Sequence, residues 1–136
     1  MPEETKRVEL VWEGDLRFRG GEPGGPTVLV DASGVAAPGP MAALLLAAAA
    51  CSAADVVHIL GRMRVGLDEL RVEAAGRRRE QEPRRYLAVH LVYRLRGRGL
   101  DEAKARRAVE LSIQRYCSVI HSLAPDIALT HELSLA

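Results

Sequence analysis

The sequence predicts an α+β fold with the element order βββ-α-ββ-α-β. Three observations carry this. Runs that alternate apolar and polar residues come in groups: three before residue 40, two between residues 70 and 95, and one at the C-terminus. A long Ala- and Leu-rich stretch without an internal proline separates the first group from the second. A second helix-period stretch opens on Asp101, a natural N-cap, and separates the second group from the last strand. Strands in antiparallel runs divided by helices point away from a doubly wound parallel sheet. With 136 residues against roughly 100–200 per domain, the whole of 1–136 is expected to form a single domain.

In chain order, Val8, Leu10 and Trp12 alternate with Arg7 and Glu9, as in a strand with one buried face. Gly14-Asp15 marks a turn, and Leu16 to Arg19 is the hairpin partner. Gly20 to Pro26 is a loop by composition, and Thr27 to Asp31 is a third short strand. Ala32 to Pro40, with two Gly and two Pro, is irregular. From Met41 to about Arg64 only Gly61 interrupts a helical stretch, apolar nearly all round in its first half and therefore expected to be buried on most sides. Leu70, Val72 and Ala74 alternate next, the polar residues Gly76 to Arg85 form a bend, and Leu87 to Leu95 is the clearest strand in the chain. After Gly97-Arg98-Gly99, the residues Ala105, Ala108, Val109, Ser112 and Tyr116 trace one helical face as far as Cys117, with a further helical turn expected around Ser118 to Leu123. Ile127 to Leu135 alternates again as the final strand.

Composition narrows the function classes. Hydrophobic residues at 48% with 27% charged exclude wholesale disorder. A net charge of +1 gives no field for nucleic acid or an acidic membrane surface, and five aromatic residues (Trp12, Phe18, Tyr86, Tyr93, Tyr116) are too few for a base-stacking strand binder. The longest apolar run, Met41 to Cys51, falls short of the ~20 residues of a bilayer span. No apolar core follows the charged N-terminus, so no secretory signal is expected and the location expected is cytoplasmic. In that reducing compartment two cysteines do not suggest a structural disulfide. They are two inert core residues or a working pair.

Cys51, Asp55 and His58, at i, i+4 and i+7, lie on nearly one helical face. The plain reading is a small buried thiol, a solvated carboxylate and an unremarkable histidine. Cys117 and His121 share a face if the second helix continues. Two Cys, two His and an Asp invite a metal site, but there is no CxxC or HxxxH pair, so none is expected. A nucleophilic thiol must ionise, and free cysteine has a pKa of ~8.5. Cys51 lies about three turns inside its helix, where the dipole has faded, so a cation would have to supply the activation. Arginine suits that role, and Arg17 and Arg19 on the preceding hairpin are candidates by position.

The stretch Gly39-Pro40-Met41 … Leu44-Leu45-Leu46-Ala47-Ala48 … Cys51-Ser52-Ala53-Ala54-Asp55-Val56-Val57 … Ile59-Leu60 resembles the central-helix motif of the OsmC/Ohr family, the osmotically inducible and organic hydroperoxide resistance proteins. Arg107-Ala108-Val109-Glu110-Leu111-Ser112 with Arg115-Tyr116-Cys117-Ser118-Val119 resembles the second cysteine motif of its OsmC-like branch, and Thr130-His131-Glu132 is similar to the ending of that branch. The likeness runs from about Val8 to Leu135. It implies an intertwined homodimer around two long central helices, and a thiol peroxidase with no metal, haem or other cofactor, acting in oxidative stress defence. By position Cys51 would be the peroxidatic thiolate that attacks an organic hydroperoxide. Cys117 would be the resolving thiol that condenses with the Cys51 sulfenic acid to a disulfide, which an external dithiol reductant reopens. Active members carry a Glu just inside the central helix that positions the activating Arg. Here Ala42 stands in its place, and neither Arg17 nor Arg19 matches the family's Arg unambiguously. The alternative is therefore a redox-sensing or small-molecule-binding dimer with little turnover, or a structural dimer whose thiols are inert.

Overall fold

The computed structural model describes all residues from Met1 to Ala136. They pack as two compact units, Met1–Leu44 and Leu45–Ala136.

In the first unit, β1 (Glu9–Trp12), β2 (Arg17–Gly21) and β3 (Thr27–Asp31) form an antiparallel sheet in the order β1-β2-β3, with Trp12 opposite Phe18 and Phe18 opposite Val30. Gly14 and Asp15 take positive φ in the turn that the sequence marks there. The second strand runs further than expected: Gly20 and Gly21 are paired on both sides, because without side chains they admit the backbones of Glu9 and Pro26. After β3 the Asp31 carboxylate accepts the N–H groups of Ser33 and Ala36 at 2.9 Å each, which organises the irregular segment. The buried face expected for β1 is not buried within this chain. All four of its residues are exposed, Trp12 at 65%.

Helix α1 (Pro40–Arg62) begins at the end of this unit and continues into the next. Proline is tolerated in the first turn, where its missing N–H has no partner to lose, and Arg64 at φ +61° ends the helical path. Its 23 residues are long and apolar enough to cross a bilayer, longer than the run Met41–Cys51 suggested. One stripe of it, Ala48, Ala49, Ser52, Val56 and Leu60, is buried, while Leu44, Leu46 and Val57 stay exposed.

The second unit contains β4 (Gly66–Arg78), β5 (Tyr86–Arg98) and β6 (Ala128–Leu135) in the order β4-β5-β6. β4 and β5 form a long antiparallel ladder, much longer than Leu70–Ala74 and Leu87–Leu95, so the bend is confined to the residues between Arg78 and Tyr86. β6 lies parallel to β5, Leu91 beside His131 and Leu95 beside Leu135, which departs from the expectation of antiparallel runs alone. The reason is the connection: a parallel neighbour needs a helical crossover, and α2 (Glu102–Leu111) supplies it. Asp101 caps α2 by accepting Lys104 N–H at 2.8 Å. Val89, Leu91, Tyr93 and Leu95 of β5 join Val56, Leu60, Ala105, Ala108 and Val109 in the core, whereas Arg94 and Arg96 line the other, solvated face of the sheet.

The C-terminal end of α2 runs into a π turn, Ser112–Tyr116, in which Cys117 N–H donates to the Ser112 carbonyl five residues back at 2.8 Å. This turn corrects the expected helical face. Four residues on from Ser112 is Tyr116, which is exposed, and five on is Cys117, which is fully buried. A short helix α3 (Ser118–Ser122) follows, with Cys117 at its N-cap.

Candidate functional site: a thiol pair on a hydroxyl chain

Cys51 lies on α1 within reach of the C-terminal end of the α2 crossover. Both cysteines are free thiols, Cys51 half-buried and Cys117 with no exposed surface. Cys51 lies near enough to Cys117 to act on its titration, so two residues remote in sequence are brought together. Cys117 Sγ also accepts the Ile120 N–H at 3.5 Å and faces the Ala48 carbonyl at 4.0 Å. Burial pushes the Cys117 thiol up to about 11; the Ile120 N–H offsets this in part, while the contact with Cys51 and the nearby Asp55 carboxylate add to it. Cys117 therefore holds its proton at neutral pH.

Beside the sulfurs runs a chain of buried hydroxyls. Ser112 Oγ donates to Asp55 Oδ2 at 2.9 Å, Ser52 Oγ lies 2.8 Å from Ser112 Oγ, and Tyr93 Oη lies 2.6 Å from Ser52 Oγ. Each hydroxyl has one proton. Once Ser112 gives its proton to the carboxylate, Ser52 must donate to Ser112 and Tyr93 to Ser52. Burial raises the Tyr93 phenol, in keeping with its role as a donor. Ser52, Tyr93 and Ser112 are all fully buried and all satisfied. Asp55 is thus no solvated carboxylate. It opens on one side to a cavity of about 410 Å³ lined by Asp55, His58, Ile59, Arg62, Leu111 and Tyr116.

The two histidines singled out in the sequence take different places. His58 lines the cavity, one turn beyond Asp55. His121 turns away and places Nε2 3.1 Å from the Ile113 carbonyl oxygen. In the first unit, Arg17 Nη1 pairs with Asp15 Oδ2 at 3.0 Å and Arg19 Nε with Glu13 Oε2 at 3.0 Å. Ala42 is exposed, and the first turn of α1 holds no acidic residue. The hydroxyl chain was missed in the sequence. Its members lie on three elements, and the only signal available was Ser112 falling on the apolar face of its helix.

The family model for OsmC-like protein matches residues 31–132, which takes in both cysteines and the whole hydroxyl chain. The chain belongs to the OsmC-like family. Protein YhfA of Escherichia coli is 40% identical over 126 residues, covering 92% of this chain and 94% of YhfA. A solved structure of a hypothetical protein from Aquifex aeolicus is 28% identical, with a TM-score of 0.84 over 98% of this chain and 99% of that one. The organic hydroperoxide resistance protein OhrB of Bacillus subtilis shares the fold at a TM-score of 0.63 and 16% identity, covering 96% and 98% of the two chains. The OsmC-like fold is therefore the one predicted from the two cysteine motifs.

Proposed function

We propose that this OsmC-like protein is a thiol peroxidase that reduces organic hydroperoxides in the cytoplasm as part of oxidative stress defence. What supports the reading is the nearness of Cys51 to Cys117, whose fully buried thiol holds its proton and is pushed up further by Cys51. In the first step the Cys51 thiolate attacks the distal oxygen of the hydroperoxide. The O–O bond breaks, the alkoxide takes up a proton and leaves as the alcohol, and Cys51 becomes a sulfenic acid. In the second, Cys117 sulfur displaces the hydroxyl from Cys51. The S–S bond forms, the S–O bond breaks, and the Cys117 proton leaves with the hydroxyl as water. A dithiol reductant then exchanges with the disulfide and restores both thiols. No metal or bound cofactor takes part.

Arg17 or Arg19 would supply the cation that favours the Cys51 thiolate. Ala42 offers no carboxylate to hold such an arginine, and Asp15 and Glu13 hold these two instead. The cavity beside Asp55, part apolar and part cationic through Arg62, gives an organic hydroperoxide room one turn from Cys51.

Consumption of cumene hydroperoxide in the presence of dithiothreitol tests the reading. Wild type is expected to turn over with loss of dithiol, and Cys51→Ser to fall to the uncatalysed rate. Equal rates would remove the catalytic assignment. Slow formation of a single disulfide without turnover would instead favour the sensing or ligand-binding alternative that Ala42 motivates.

A further inference from the structure

The Asp55–Ser112–Ser52–Tyr93 chain has no part in the two steps just described, yet it is anchored at both ends of the thiol pair. Ser52 is the residue next to Cys51. Ser112 is the residue whose carbonyl receives the Cys117 N–H across the π turn. The hydrogen bond from Ser52 to Ser112, at 2.8 Å, thus ties the backbone beside one sulfur to the backbone that carries the other. Asp55 completes the tie from the solvent side: by taking the Ser112 proton at 2.9 Å it leaves the Ser112 oxygen free to accept from Ser52. A π turn has few intrinsic grounds to persist, since the extra residue loosens the helix, and here the Ser112 side chain makes its two short side-chain hydrogen bonds onto α1, beside the long 4.0 Å contact of Cys117 Sγ with the Ala48 carbonyl. Disulfide formation demands Cα atoms ~4.4–6.8 Å apart with correctly aimed Cβ atoms, so a small slip of the turn would separate the sulfurs.

We propose that Ser112, held between Asp55 and Ser52, is the positioning residue that sets Cys117 against Cys51 and so governs closure of the disulfide. The inference rests on the thiol-pair reading above but not on the peroxide chemistry, because any two-electron oxidant of the pair would report it. Diamide is such an oxidant: its N=N bond takes two electrons and two protons from the two thiols, and the S–S bond forms.

The test compares wild type, Ser112→Ala and Ser112→Thr in the full chain. Intact-protein mass spectrometry and thiol titration follow two phases separately, first modification of Cys51 and then closure to the disulfide, with diamide in one series and cumene hydroperoxide in the other. Ser112→Ala is expected to slow closure about tenfold relative to first modification, the rate equivalent of one lost hydrogen bond. In the peroxide series the Cys51 sulfinic acid should accumulate, because the sulfenic acid waits longer. Ser112→Thr, which keeps the hydroxyl, should restore closure. A general loss of packing would slow both phases and would not be rescued by threonine. Should Ser112→Ala fail to fold by circular dichroism, Asp55→Ala removes the same anchor from the half-buried end and is expected to slow closure alike. Closure as fast as wild type in Ser112→Ala, or as slow in Ser112→Thr as in Ser112→Ala, would overturn the proposal. A wild-type pair that closes with diamide but ignores hydroperoxide would remove the peroxidase reading and leave the positioning role standing. A pair that closes with neither would remove both.

Discussion

In the proposed reaction a buried sulfur atom decides which cysteine does what. Cys117 has no exposed surface, and burial is the largest cause of its raised pKa. A thiol that keeps its proton is a poor nucleophile toward peroxide, so the proposed reaction gives its first step to the half-buried Cys51. The same raised pKa has a consequence for stability. The folded protein binds the Cys117 proton more tightly than the unfolded chain does, so the thiol stabilises the fold fully below pH 9.0. That contribution is lost as pH rises from 9.0 toward about 11. Its size is no more than about 3 kcal/mol, since each tenfold change in proton affinity is worth about 1.4 kcal/mol. Urea unfolding of the reduced protein at pH 8 and pH 10.5 measures it. Wild type should lose more stability between the two than Cys117→Ser, in which the thiol is gone and the remaining titrating groups are unchanged. An equal loss in both proteins would mean that Cys117 is not held protonated by its surroundings.

Secondary-structure elements were legible in the sequence to the extent that their causes were local. The alternation Leu87 to Leu95, the Asp101 cap and the Gly14-Asp15 turn all state their structure within a few residues, and all three stand. What the sequence hid depended on partners far along the chain. The parallel placement of β6 follows from the crossover, not from the composition of Ile127 to Leu135. Tyr116 was expected on the buried face because 3.6 residues per turn was assumed throughout, and the π turn puts Cys117 there instead. Cys51 and Cys117 could be named as a candidate pair through their motifs, but the hydroxyl chain that ties their segments together could not. The β4–β5 ladder offers a further case. Gly76 sounded like a bend and is in fact a mid-strand residue beneath the Tyr86 ring, which occupies the space a Cβ would need. Gly76→Ala is therefore expected to displace that ring and to cost about 1–3 kcal/mol by overpacking. A thermal melt checks it, and an unchanged midpoint would show that Tyr86 swings aside freely.

At the scale of the whole molecule, what stands out is how much apolar surface one chain leaves in water. In the first unit Leu10, Val11, Trp12 and Val28 are each more than half exposed, and on α1 Leu46 and Val57 are as well. Single exposed apolar residues are ordinary, but a helix with only five buried positions among 23, half of the rest Ala and Leu, is not stable as a bare surface. A second copy of the chain is the occupant that the intertwined arrangement implied by the sequence motifs would bring. Small Ala side chains would let two such helices approach closely. Each fully covered Leu or Val would contribute about 1.5–3 kcal/mol, enough that a handful of them offsets the cost of association. Sedimentation velocity at micromolar protein should accordingly give a single species of twice the 14.8 kDa chain mass. Leu46→Asp, which places a charge on the exposed stripe of α1, should shift it toward the monomer and lower the melting temperature. If peroxide turnover per chain falls together with the dimer fraction as protein is diluted, both subunits are needed to keep Cys51 in its working environment. A wild-type protein that sediments as a monomer would require some other cover for α1 and would remove the homodimer that the sequence motifs imply.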